Sequence, residues 1–130
     1  MEIRDHKNKL LAIILRDENF REGKYFATEN SAELQLASFK LEKDTVIEKH
    51  FHPEQKRSIT TTSEVIVVIQ GKIEIEIFNN DLEILHTDTI LAGDVLALYS
   101  GGHGLKLSEN SKFIEVKQGP FIPEIDKKRF

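Results

Sequence analysis

Residues 72–78, KIEIEIF, set Ile73, Ile75 and Ile77 on one side and Glu74 and Glu76 on the other. That period of two belongs to a strand with one buried face. The turn formers Asn79, Asn80 and Asp81 follow, and EILHTDTI then resumes the alternation, so the stretch predicts a hairpin. VIVVIQG, residues 65–71, is apolar at nearly every position and predicts a strand covered on both faces. A strand at about 94–99 ends in a glycine turn, and HGLKLSENSKFIEVKQG predicts two short strands separated by SENS. Upstream, ELQLASFKLEKDTVIEKHFH predicts two strands about a turn at Lys43 and Asp44.

The first thirty residues stay open. NKLLAIILRDENF fits a strand or a helix of three turns, because so short an apolar run has no decisive period. The tail from 122 to 130, IPEIDKKRF, is charged and reads as a last strand with a loose end or a short docking segment. Eight to ten short strands at intervals of about ten residues predict an all-β barrel or sandwich. No repeat or linker interrupts the 130 residues, so one domain is expected, with its core over about 32–121.

Composition narrows the function classes. Apolar residues make 39% of the chain and charged residues 31%, a globular balance. The net charge of −4 disfavours nucleic acid and anionic membrane as partners, while leaving room for an anionic small molecule held by local cations. No apolar stretch approaches a membrane span, and MEIRDHKNKL is too charged for a secretory leader, so the cytoplasm is the expected location. The absence of cysteine removes disulfides, thiolate metal sites and cysteine nucleophiles. A metal would have to rest on His, Asp or Glu.

His50 and His52, two apart on an expected strand, share a face and could converge on one ion at about 2.0–2.2 Å. Chance alone gives on the order of 0.2 such pairs in a chain with this histidine content, so the pair is weak by itself. Glu64 strengthens it. It opens a buried strand on which Glu64, Ile66, Val68 and Gln70 face one way, so either polar ends line a cavity or Glu64 sits at a solvated strand start. His103 follows two glycines and precedes a third, in a turn able to aim its ring at a barrel mouth or leave it in water. His6 and His86 are expected on the surface.

Together these residues resemble the two motifs of the cupin superfamily. The first is His50, His52, Glu64 and Gly71; the second is Gly93–Asp94, a strand, YSGG and His103. The resemblance implies a single cupin-type antiparallel β-barrel (a double-stranded β-helix, or jelly roll). It also implies one divalent transition metal (iron, manganese, nickel or zinc) on His50, His52, His103 and Glu64. Two departures stand out: PEQKRSITTTS inserts eleven residues between His52 and Glu64, and Tyr99 replaces the usual proline of the second motif. The ending EVKQGPF is also similar to small cupin proteins of bacterial surface-sugar biosynthesis, including relatives of nucleotide-sugar isomerases.

The resemblance therefore implies a small metalloenzyme, of isomerase, epimerase or oxygenase type, acting on a sugar or a keto or hydroxy acid. A metal-free isomerase using His50 or His52 as acid–base group and a non-catalytic ligand-binding module are the alternatives. Candidate catalytic residues are Glu64 and Tyr99, the latter either a hydroxyl at the mouth or a packing aromatic. Arg57 and Gln70 are candidate substrate-binding residues, Arg57 as a clamp for an anionic group or as a solvated loop charge. Glu115 and Lys117, on the strand face of Phe113, are expected as an exposed pair. If Glu64 faces inward, Val65, Val67 and Ile69 face outward, and a homodimer is the natural cover for them.

Overall fold

The computed structural model describes residues 1–130. Ten strands form: β1 (Glu2–Arg4), β2 (Leu10–Leu15), β3 (Gly23–Phe26), β4 (Ala37–Lys40), β5 (Glu64–Gln70), β6 (Lys72–Phe78), β7 (Ile84–Leu91), β8 (Val95–Leu98), β9 (Gly102–Leu107) and β10 (Lys112–Lys117). A single 3₁₀ turn, Asp17–Asn19, lies between β2 and β3, and no α-helix is present. The all-β expectation holds. No helix is long and apolar enough to cross a membrane.

All strand pairs are antiparallel. A five-stranded sheet runs β1-β2-β8-β5-β10, a three-stranded sheet runs β7-β6-β9, and β3-β4 is a separate hairpin. The two larger sheets pack face to face. Ile14, Ile66, Val68, Leu96 and Leu98 from the first meet Ile73, Ile75, Ile77 and Ile90 from the second in one core of twelve buried residues. Replacing Ile75, buried between the sheets, by alanine is expected to cost about 3 kcal/mol through lost transfer energy and a cavity.

The expected closed barrel does not form. The chain passes from one sheet to the other at the tight turns around Gly71 and Gly101, without ladder hydrogen bonds joining the sheets, and β1, β10, β7 and β9 remain edges. The segment that was expected to supply a second strand after Asp44 supplies none. The turn itself is present, with Asp44 in the left-handed region at φ 65° and the Thr45 N–H on the Glu42 carbonyl at 3.3 Å. Residues 41–60 then run exposed and outside any sheet, because no partner strand takes up their backbone groups.

The N-terminal ambiguity resolves as strand. β2 lies between β1 and β8 and is covered on both faces: Ile14 enters the main core, while Ile13 packs with Leu36, Ala97 and Tyr99 beneath the 27–36 segment. An all-apolar run fits that middle position. β5 is less enclosed than its composition suggests. Ile66 and Val68 are buried, but Val65 and Val67 are half-buried and Ile69 is 55% exposed. The β6–β7 hairpin forms as expected, its turn held by the buried Asn79, whose Oδ1 accepts the N–H groups of Asp81 and Glu83 at 2.9 Å each.

Candidate functional site

The alternation of β5 turns Glu64 inward with Ile66 and Val68, at the end of the core rather than in its middle. Its side chain is 10% exposed. An ionised carboxylate in that position needs partners. One is His103, whose Nε2 lies 3.3 Å from Glu64 Oε2.

His103 reaches it from the opposite sheet. It pairs with Ile77 in the β6–β9 ladder and so shares the inward face. Gly101, at φ +76°, makes the crossover from β8 to β9, and a Cβ there would overlap the Phe78 carbonyl. Past the two glycines before it, the His103 ring meets Glu64 at the end of the core, so of the two positions open in the sequence the inward one is taken, with no barrel mouth around it. The contact with His103 holds the Glu64 carboxyl below its ordinary 4.5, outweighing burial, with further help from the charges of His103, Lys117 and Lys127. The His103 side chain keeps 31% exposure.

Lys117 is the residue of this end whose burial the pattern misread. In the β10–β5 register it stands directly opposite Glu64, and its side chain is 13% exposed, not solvated. Its Nζ lies 3.7 Å from Glu64 Oε1 and 3.8 Å from Asp126 Oδ2, over the Phe121 ring at 4.9 Å. Glu115, the other half of the expected exposed pair, is exposed. The difference comes from the tail. Residues after β10 turn back over this end: Phe130 packs edge-on against Phe78 at 5.1 Å, in the space that a Cβ on Gly102 would fill. No local signal reports that fold-back.

The inserted segment is tied down at its end. The Glu33 carboxylate accepts the N–H and hydroxyl of both Thr60 and Thr61 at 3.0–3.3 Å, and these four donors hold its pKa low. Ser63 N–H donates to Gln118 Oε1 at 2.6 Å. Between this segment and the tail lies a polar cleft of about 300 Å³, lined by Thr60, Thr61, Thr62, Gln118 and Asp126 among others.

The other expected site residues lie elsewhere. His50 and His52 are exposed and not on a strand, so alternation does not place them; their rings stand edge to face, centroids 5.2 Å apart, with His50 Nδ1 2.8 Å from the Glu48 carbonyl. The four expected donors form two pairs, and no group of three or more His, Asp or Glu side chains is gathered in metal-binding geometry. Arg57 is exposed in the same segment. Gln70 is exposed at the opposite end of β5, roughly 20 Å of strand from Glu64, beside the β9–β10 turn.

Tyr99 packs on the other face of the sheet with Ile13, Leu36 and Ala97. Its hydroxyl is buried without a hydrogen-bond partner, and burial pushes its pKa up to about 12. Of its two sequence readings, the packing aromatic is the one realised. His6 is exposed, and half-buried His86 has Nε2 3.4 Å from Asp88 Oδ2.

Fold and site together define an antiparallel two-sheet protein with a Glu–His–Lys end. The family described as "Domain of unknown function (DUF6016)" matches residues 15–90, more than half of the chain, and the chain belongs to that family. The matched region contains Glu64 and ends before His103 and Lys117. Neither the curated proteins nor the solved structures contain a match to this chain.

Proposed function

We propose that this is a cupin-type protein whose chemistry centres on Glu64 and His103, acting on a small polar molecule such as a sugar or a keto or hydroxy acid. The two facing antiparallel sheets are compatible with a jelly roll. The observation that carries the reading is the 3.3 Å approach of His103 Nε2, on a side chain that keeps contact with water, to a buried, ionised Glu64. A neutral His103 that turns its Nε2–H to Glu64 carries its free lone pair on Nδ1. Nδ1 can take a proton from a substrate carbon or hydroxyl next to a carbonyl, and Glu64 then stabilises the imidazolium. Taken from the carbon beside the carbonyl and returned to the carbonyl carbon through an enediolate, that proton completes an isomerisation with one acid–base group.

A second reading, a divalent metal centre, is favoured by donor spacing. His103 Nε2 and Glu64 Oε2 at 3.3 Å, and two imidazoles with centroids 5.2 Å apart, are separations that pairs of ligands on one ion adopt. The two pairs do not meet, so the residues as arranged do not fit one four-donor centre, and no step of the chemistry above is routed through an ion. The outward residues Val67, Ile69, Ile114 and Val116 beside the free edge of β10 support pairing of two copies of the chain.

Turnover of a panel of sugars, nucleotide sugars and keto acids, alongside elemental analysis of untagged protein, tests both readings. The first expects His103→Asn to lower turnover by roughly 10²–10⁴-fold with no metal present to lose. The second expects bound metal that falls in His103→Ala or in His50→Ala, according to which pair holds it. Neither turnover nor metal, after loading with iron, manganese, nickel and zinc, retires both.

A further inference from the structure

Lys117 is nearly removed from water, yet both carboxylates beside it stop short of hydrogen-bonding distance, Glu64 Oε1 at 3.7 Å and Asp126 Oδ2 at 3.8 Å. An ammonium carries three donors, and neither carboxylate beside Lys117 takes one of them at hydrogen-bonding distance, which leaves the cost of its partial burial only partly offset. A charge-assisted hydrogen bond to an oxyanion, at about 2.7–2.9 Å, would remove it.

The geometry points to Lys117 as an anion-binding subsite, in which the Asp126 carboxylate occupies the place taken by the carboxylate or phosphate group of a small ligand. This deepens the reading of the Glu64–His103 end as a small-molecule site and rests on it. Three placements argue for it. Lys117 and His103 flank the same Glu64 carboxyl group, so a molecule a few carbons long, anchored on Lys117, carries its reacting atoms toward the imidazole.

The polar cleft borders Asp126, which gives the ligand an approach and hydroxyl partners in Thr60, Thr61 and Thr62. Asp126 belongs to a self-contained turn: its Oδ1 accepts the Ile122 N–H at 3.2 Å, and the Ile125 and Asp126 N–H groups bond the Ile122 carbonyl. That turn can withdraw as a unit without breaking a strand. Once it does, Lys117 faces the vacated position with Glu64 as its one remaining carboxylate neighbour. An anion restores the balance that Asp126 supplied.

The test is titration of inorganic phosphate, and separately of acetate, into the full chain, followed by amide NMR shifts of residues 60–64 and 117–127. Asp126→Asn keeps an oxygen for Ile122 and removes the competing charge, so it is expected to bind one of the two anions about tenfold more tightly than wild type. Lys117→Gln is expected to lose saturable binding, and His103→Ala to keep it. The anion that saturates first identifies the ligand group as phosphate or carboxylate.

Unchanged affinity in Asp126→Asn overturns the inference, as does wild-type binding by a folded Lys117→Gln, or no saturation of either anion by both wild type and Asp126→Asn. Should Lys117→Gln not fold, Asp126→Asn decides alone. Anion binding that persists while no substrate turns over counts against the acid–base chemistry and not against this subsite.

Discussion

Arg16 and Asp94, 78 residues apart in the chain, meet with Nη1 2.8 Å from Oδ2. The Gly93–Asp94 pair that resembles part of a ligand-binding motif here performs a structural task. Asp94, 7% exposed, also accepts the N–H groups of Asp17 at 3.1 Å and Leu91 at 3.0 Å. Arg16 continues to Asp88 Oδ2 and to the Thr89 carbonyl at 2.6 Å. One ion cluster thus fastens the end of β2 to the β7–β8 turn. Burial raises the Asp88 pKa, but the Thr89 N–H, Arg16 and His86 together bring it below its ordinary value.

Removing one partner of that cluster strands the others. Asp94→Ala is expected to lower stability by about 3 kcal/mol, since it leaves the Asp17 and Leu91 N–H groups without their acceptor and removes one of the two carboxylates paired with Arg16. Urea unfolding followed by circular dichroism measures it. In a double-mutant cycle with Arg16→Ala, a coupling of about 1 kcal/mol or more is expected; additivity would show that the pair does not act together.

Glu64 should make stability depend on acid. Its folded pKa lies below the ordinary 4.5, so its contribution is complete above about that pH and is lost as pH falls through the lower folded value. The stability gap between wild type and Glu64→Gln is therefore expected to be largest at neutral pH and to shrink progressively below about pH 4.5. Unfolding free energies at pH 7 and pH 3.5 check the sign; a gap that widens in acid contradicts the pairing with His103 and Lys117.

Glu33 holds the near end of the inserted segment by its bonds to Thr60 and Thr61. Glu33→Ala is expected to free that end and raise trypsin cleavage after Lys56 and Arg57 by about threefold or more, with little change in the unfolding midpoint, because the bonded groups are exposed. Mass-resolved limited proteolysis reads both the site and the rate.

The proposed pairing of two copies predicts a solution mass of twice 14.9 kDa by light scattering. Ile114→Lys, on the outward face and 53% exposed, should return the monomer without unfolding it. A wild-type monomer at high concentration would remove the dimer from consideration.

Local pattern was enough to specify the strands from β5 to β10. The alternation of Ile73, Ile75 and Ile77 and the turn chemistry of Asn79 are properties of neighbouring residues, and a period of two has one simple solution. The same rule turned Glu64 inward and required that it find partners. Glycines before His103 announced a turn for the same local reason.

Which strands lie side by side was not local information. The β10–β5 register, set by packing across a long stretch of chain, put Lys117 opposite Glu64, and the returning tail then buried a lysine that alternation alone assigned to solvent. His50 and His52 went the other way, because two histidines share a strand face only if a neighbour takes up the backbone groups of that segment, and none does. The sequence by itself determined an all-β chain, and left Glu64 either inward or at a solvated strand start and His103 either aimed inward or in water. Tertiary structure alone decided that these two meet, that Lys117 and Asp126 join them, and that Tyr99 does not. Periodicity is written in adjacent residues, whereas a site is assembled from strands and a tail that only packing brings together.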